Sequence, residues 1–153
     1  MIGSLCIVCA VDGSPASREA VAAANGLSQQ PGLRLVLAYV SPPPLTLAAP
    51  QVVYAARVAQ LELEPAEVAA RALLEDVADE AEVSDMAVLR VEYGEPVERL
   101  LALAETEEVE LVAVGSRGRS AWRSALLGSV SAAVASRAGC PVLVVRDHAE
   151  ERA

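Results

Sequence analysis

Short apolar runs alternate along the chain with longer stretches in which apolar residues recur every three or four positions. The runs predict strands buried on both faces, as in a parallel sheet, and the longer stretches predict amphipathic helices. Strands are predicted over Leu5–Val11, Arg34–Val40, Met86–Tyr93, Leu111–Val114 and Val142–Val145. Helices are predicted over Pro15–Ser28, Pro65–Glu82, Pro96–Glu107 and Gly128–Ala138. Residues 45–60 are left open, with a short helix as one option, and residues 115–127 are predicted to form a long loop.

The regular alternation of strand and helix predicts an α/β fold, with a parallel sheet, right-handed crossovers and helices on both faces. For five strands we expect the doubly wound order 3-2-1-4-5 of a Rossmann-like or flavodoxin-like sheet. Ligands of such sheets bind beyond the carboxyl ends of the strands where the winding direction switches, here between the first and fourth strands. Residues 1–147 are predicted to form a single domain and residues 148–153 a polar tail.

A glycine pattern follows the fourth predicted strand. Gly115 and Gly118 are followed, after nine intervening residues, by Gly128 and Ser129, which gives the spacing G-x2-G-x9-G-S. Glycine lets backbone N–H groups approach an anion closely, and the N-terminus of the helix that begins at Gly128 favours phosphate. The pattern therefore predicts a phosphate site built from backbone. The alternative is that Gly115 and Gly118 shape a turn and Gly128 only caps a helix.

Residues at the ends of the first two strands point to the same crevice. Asp12 can accept hydrogen bonds from ribose hydroxyls or a base amine, and the backbone of Val40 can face the same space. The alternative for Asp12 is an Asx turn that leads into a helix capped by Ser14, and both roles can hold at once. Gly94 and Pro96 are interpreted as structural, as a tight turn and the first helical position.

Composition and charge exclude several classes of protein. All 12 basic residues are arginine, which removes a P-loop lysine and a Schiff-base lysine, and His148 is the single histidine, which disfavours a Ser-His-Asp triad. Aromatic residues make up only 3%, so the core must be aliphatic. A formal net charge of −9 disfavours binding to nucleic acid or an anionic membrane. Between residues 111 and 146 there are arginines but no acidic residues, and Arg117 and Arg119 are placed to screen phosphates.

The Cys6-Ile7-Val8-Cys9 segment has CxxC spacing but lies in the first predicted strand. Residues three apart on a strand point to opposite faces, so two buried thiols are favoured over a redox or metal pair. With no disulfide framework, no targeting signal and no stretch of 18 apolar residues, we expect a soluble, cytoplasmic protein that does not enter a membrane.

Together these motifs resemble the universal stress protein family, and specifically its ATP-binding class. The resemblance rests on Val11-Asp12-Gly13-Ser14 with Ser17, on Gly94-Glu95-Pro96, on Val114–Gly118 with Gly128-Ser129-Val130, and on Cys140–Arg146. It implies a fold like that of the adenine nucleotide α-hydrolases, and a homodimer. It further implies adenine and ribose near Asp12 and Val40, and phosphates at Gly115, Gly118, Gly128, Ser129 and Val130. The implied ligand is ATP, or else ADP or AMP, with Mg²⁺ or Mn²⁺ held through the phosphates.

The predicted function is that of a nucleotide-dependent regulatory dimer in the stress response, with no catalytic residue and at most weak ATP hydrolysis. A slow metal-dependent ATPase and a dimerising module without nucleotide remain open. A flavodoxin-type electron carrier is disfavoured by the lack of aromatic residues. A phospho-receiver is rejected because Tyr93-Gly94 and Arg146 replace its acceptor aspartate and its lysine.

The last predicted strand is an edge of the sheet, short, apolar and uncharged. Such an edge is a liability unless it is paired or covered, so we expect it to pair with its copy across a two-fold axis. The residues of the predicted dimer contact are Val142, Leu143, Val144 and Val145. Coverage by the polar tail, residues 147–153, is the alternative.

Overall fold

A parallel sheet forms the centre of the molecule. The computed structural model describes residues 5–41, 52–106, 108–118 and 127–148, with backbone only for residues 52–64 and 106. In this described part the strands are β1 (Leu5–Ala10), β2 (Leu33–Ser41), β3 (Ala87–Tyr93), β4 (Val109–Gly115) and β5 (Val142–Val145). Their order is β3-β2-β1-β4-β5, and neighbouring strands are parallel. The predicted α/β class and the predicted order 3-2-1-4-5 are both confirmed.

Helices connect successive strands. They are α1 (Pro15–Ser28), α2 (Val52–Glu80), α3 (Pro96–Thr106) and α4 (Ser129–Arg137). The predicted start of α1 is confirmed: the hydroxyl of Ser14 accepts a hydrogen bond from the N–H of Ser17 at 3.2 Å, and Pro15 occupies the first turn. Elsewhere most boundaries agree with the prediction within one or two residues, and Gly128 serves as the N-cap of α4 instead of its first residue.

The prediction for α2 was wrong at its start. The helix begins at Val52, and Pro65, which the sequence pattern placed at the first helical position, lies inside it. Proline removes one hydrogen bond from a helix interior, but it does not prevent residues 52–64, which contain no glycine or other proline, from continuing the helix. The sequence pattern leaves residues 45–60 open, with a short helix as one option. From Val52 onward they belong to α2, and residues 45–51 lie outside the described part.

The core has two layers, one on each face of the sheet. On one face, α1 and α2 bury side chains such as Val21 and Leu74 against Ile7 and Leu37. On the other face α3 and α4 pack against a second set of strand residues. The largest fully buried side chains are leucine, isoleucine and valine, which agrees with the predicted aliphatic core. Each layer removes apolar surface from water, and this burial stabilises the fold by about 25 cal/mol per Å². The packing of the two layers holds the strands in register.

Cys6 and Cys9 lie on opposite faces of the sheet, as predicted. Cys6 packs in the layer with Val8, and Cys9 in the layer with Ile7. Burial raises the pKa of Cys9 from 9.0 to about 12, so this thiol stays protonated near neutral pH. A protonated, buried thiol is neither a nucleophile nor a metal ligand. In the residues that the structure describes, no helix is both long and apolar enough to cross a bilayer.

Candidate functional site

A cavity of about 390 Å³ opens at the carboxyl ends of β1 and β4, where the winding direction of the sheet switches. Its walls come from the ends of β1, β2 and β4 and from the first turns of α1, α3 and α4. The fold therefore brings together segments that are far apart in the sequence. The predicted site residues that line this cavity are Asp12, Val40, Gly115, Gly118, Gly128, Ser129 and Val130.

The cavity has two chemically different walls. The wall from β2 and α3 is apolar and includes Val40, Pro96 and Leu100. The wall from the exit of β4 and the start of α4 carries glycines and serines beside the apolar side chains of Val114, Leu127 and Val130. Arg117 adds a half-buried cation to this second wall, whereas Arg119 and Arg123 lie outside the described residues. A cavity with an apolar wall and a polar wall suits a ligand that has a planar apolar part and an anionic part.

The glycines of the pattern differ in what a side chain at each position would contact. A Cβ on Gly115 would stand 2.7 Å from the backbone of Ala16 and Ser17, so this glycine lets α1 pack closely on the end of β4. A Cβ on Gly118 would stand 2.8 Å from Oδ2 of Asp12. A Cβ on Gly128 would meet nothing nearer than 3.4 Å, so the fold does not require a glycine at this position. The fold therefore requires a glycine at position 115 for the close packing of α1, which is a different reason from the turn that was the predicted alternative.

The N–H of Gly128 is used inside the protein. It donates to the carbonyl oxygen of Ser116 at 2.6 Å, which ties the start of α4 to the segment after β4. The sequence interpretation counted this N–H among the donors open to a phosphate. The next residues, Ser129 and Val130, also line the cavity, and their N–H groups lie in the first turn of α4, where a helix offers no internal acceptor.

Of the helix N-termini that line the cavity in the described residues, those of α1 and α4 differ in their capping. At α1, Ser14 caps the N–H of Ser17 and Pro15 has no N–H to offer. At α4, in the part of the chain that the structure describes, no side chain makes a capping hydrogen bond. The first N–H groups of a helix need partners and carry a partial positive charge. The N-terminus of α4 is therefore the better of the two for an anion.

Asp12 forms the Asx turn that was one of its predicted alternatives. Its Oδ1 accepts a hydrogen bond from the N–H of Ser14 at 2.8 Å, and the other oxygen, Oδ2, lies on the side of Gly118. The carboxylate thus shapes the entry into α1 with one oxygen and faces the polar wall with the other. A binding role for Oδ2 remains compatible with the turn.

The turn after β3 positions the apolar wall. Gly94 has a φ of 136°, and the aliphatic part of Arg99 packs 3.1 Å from the place of its missing Cβ. The guanidinium of Arg99 pairs with the buried carboxylate of Glu92. Pro96 then begins α3 and, together with Leu100 one turn later, faces the cavity. The structural interpretation of Gly94 and Pro96 is confirmed, but the place of Pro96 and Leu100 at the cavity was missed, although their four-residue spacing after a strand end was a usable signal.

Ser131 is a further cavity residue that the sequence interpretation missed. Its side chain is buried, and its Oγ lies 3.0 Å from the carbonyl oxygens of both Ser116 and Gly128. On the opposite side, the hydroxyl of Ser14 lies 3.3 Å from the carbonyl oxygen of Arg117. The segment after β4 is thus held by polar contacts from both α4 and α1.

A doubly wound parallel sheet with a cavity at its switch point defines the Rossmann-like α/β class. The chain belongs to the universal stress protein family, whose model matches residues 6–146. A relative from Thermus aquaticus, described as "Universal stress protein in QAH/OAS sulfhydrylase 3′region", is 36% identical over 143 residues, which cover 92% of this chain and 97% of that protein. Universal stress protein YxiE of Bacillus subtilis is 47% identical over 53 residues, which span 35% of this chain and 36% of that protein.

Solved structures share the same fold. Universal stress protein UspA from Lactobacillus plantarum superposes with a TM-score of 0.72 at 22% identity, over 95% of this chain and 100% of that chain. A universal stress protein in complex with cAMP has a TM-score of 0.68 at 26% identity, over 95% and 98% of the two chains. A family member from Arabidopsis thaliana with AMP bound has a TM-score of 0.64 at 19% identity, over 96% and 94%.

Proposed function

We propose that this protein binds an adenine nucleotide in the cavity between β1 and β4 and acts as a nucleotide-dependent regulatory dimer in the stress response. The proposal rests on the first turn of α4, which has no side-chain cap and lines the same cavity as Gly115, Arg117 and Gly118. Membership of the universal stress protein family supports it, as does the solved relative that is in complex with cAMP at 26% identity.

The polar wall would hold the phosphates. The N–H groups of Ser129 and Val130 donate from the positive end of α4, and Arg117 supplies a guanidinium at the same wall. Among the described residues, Arg117 and Asp12 are the charged side chains that line the cavity, so their charges cancel. A triphosphate therefore needs a further cation, and Mg²⁺ or Mn²⁺ bound mainly through the phosphate oxygens would supply it.

The apolar wall would hold the base. Val40, Pro96 and Leu100 offer a surface for a planar ring, and backbone groups at the end of β2 can recognise its edge. Oδ2 of Asp12 can accept a hydrogen bond from a ribose hydroxyl. A cavity of about 390 Å³ is within the usual range for a small ligand.

Isothermal titration of the wild-type protein tests the proposal. We expect AMP and ATP to bind with a Kd on the order of micromolar, AMP to bind more tightly than adenosine, and Mg²⁺ to strengthen the binding of ATP. GTP, which carries the same phosphates on a different base, should bind more weakly than ATP. If none of these ligands binds, the proposal fails and the dimerising module without nucleotide is favoured. Metal-dependent release of phosphate from ATP would instead favour the slow ATPase.

The proposed dimer forms through β5. This strand is an edge of the sheet, and each of its residues is only half-buried in the single chain. Pairing with a second copy would satisfy the outer backbone groups of the strand and cover its apolar side chains. We expect light scattering to give twice the chain mass of 15.9 kDa. Amide hydrogen exchange in Val142–Val145 should slow as the dimer forms; a monomeric mass at high concentration would contradict the proposal.

A further inference from the structure

The segment that follows β4 is held by hydroxyl groups from two different helices. Ser131 of α4 places its Oγ 3.0 Å from the carbonyl oxygen of Ser116, which also accepts the N–H of Gly128 at 2.6 Å. Ser14, at the start of α1, places its Oγ 3.3 Å from the carbonyl oxygen of Arg117. The carbonyl of Ser116 is therefore held by two donors from the start of α4, and the next carbonyl, that of Arg117, by Ser14.

Fixing a carbonyl also fixes the amide that follows it. The peptide bonds of the described residues are trans, and a trans peptide group is planar with its N–H pointing opposite to its C=O. Turning the carbonyl of Ser116 toward α4 therefore sets the direction of the N–H of Arg117. In the same way, the carbonyl of Arg117 sets the direction of the N–H of Gly118, which lines the cavity.

We propose that Ser131 is a positioning residue for phosphate recognition, because its buried hydroxyl fixes the orientation of the peptide groups after β4 and their distance from the first turn of α4. This inference rests on the proposed function. Ser131 lies in the first turn of α4, so its hydroxyl, together with the N–H of Gly128, links the segment after β4 to the start of α4. The carbonyl oxygens of Ser116 and Gly128, each 3.0 Å away, share the single proton of this hydroxyl, and the residue is only 2% exposed.

The same helix offers a matched control. The hydroxyl of Ser136 lies 3.1 Å from the carbonyl oxygen of Ala133, which is the same local contact that Ser131 makes with Gly128. Ser136 is exposed and lies near the other end of α4, away from the cavity. Comparing alanine substitutions at the two serines therefore separates the link to Ser116 from the local effect of a serine in a helix.

The experiment compares the binding of AMP and adenosine to the wild type, Ser131→Ala and Ser136→Ala. A positioning role predicts that Ser131→Ala weakens AMP binding by about five- to tenfold, the usual value of one hydrogen bond, while the Kd for adenosine changes less than about twofold. Ser136→Ala should leave both affinities within about twofold of the wild type. Circular dichroism and thermal unfolding verify that each variant is folded.

Several results would overturn the inference. Equal weakening of AMP and adenosine by Ser131→Ala would mean that the serine only supports the fold, and unchanged AMP binding would remove its role altogether. If the wild type binds AMP no more tightly than adenosine, the proposed function fails together with this inference. If Ser131→Ala does not fold, Ser131→Cys replaces it, because a thiol fills a similar space but donates a much weaker hydrogen bond. The loss of affinity in this variant should again be confined to AMP.

Discussion

Gly115→Ala is expected to lower the free energy of unfolding by about 3 kcal/mol, at the upper end of the usual cost of overpacking. The added methyl would stand 2.7 Å from two backbone atoms, the carbonyl carbon of Ala16 and the nitrogen of Ser17. Backbone in the first turn of a helix cannot rotate away as a side chain can. The whole N-terminus of α1 would have to move off the end of β4, which would also open the cavity.

Gly26→Ala is the matched control for this prediction. Gly26 is an exposed residue of α1, and a Cβ there would have no neighbour within 4 Å. Alanine is the better helix former, so this substitution should raise the free energy of unfolding by about 0.5–1 kcal/mol. Urea unfolding of the two variants measures both effects. Changes of the same sign and size would contradict the close contact between Gly115 and α1.

Gly128→Val is expected to weaken AMP binding by more than about tenfold while leaving the chain folded. Gly128 has a φ of −68°, which valine adopts readily, and its Cβ would keep ordinary contact distances of 3.4 Å or more. The γ-carbons of valine would then lie beside Ser116–Gly118. They would stand between the segment after β4 and the first turn of α4, which together form the proposed phosphate site. The substitution should therefore act mainly on the ligand site.

Gly139→Val provides the control at the other end of α4. Gly139 is exposed, and a Cβ there would meet nothing within 4 Å. Titration with AMP should show wild-type affinity for this variant. Unchanged binding by Gly128→Val would show that the start of α4 does not hold the phosphate, and a similar loss in both variants would point to a general effect on α4.

The strand order could be predicted because it depends on signals that are local in the sequence. Each buried strand is a short apolar run, and each connection between strands contains a helix, which permits few topologies. The same local reasoning placed Cys6 and Cys9 on opposite faces, since a strand alternates its side chains whatever the tertiary context. It also placed Ser14 as the cap of α1, because a serine followed by a proline marks a helix start.

Features that depend on tertiary contacts could not be predicted in the same way. Pro65 has the same preference for a helix start whether or not a helix precedes it. Here residues 52–64 are already helical, so Pro65 lies inside α2. The internal use of the Gly128 N–H depends on where the carbonyl of Ser116 points. The role of Gly115 depends on α1, a helix about a hundred residues earlier, whose backbone passes close to it.

The position of β1 in the sheet has a consequence for the order in which the molecule can assemble during synthesis. β1 precedes β2 and β4 along the chain, yet it lies between them in the sheet and pairs Cys9 with both Leu37 and Ala113. One side of β1 therefore stays without its partner until β4 has been made. Because the residues that line the cavity run from Ala10 to Ser131, a nascent chain can complete the cavity only once Ser131 has been made, and a ligand of this cavity stabilises chains that have passed that point over shorter ones.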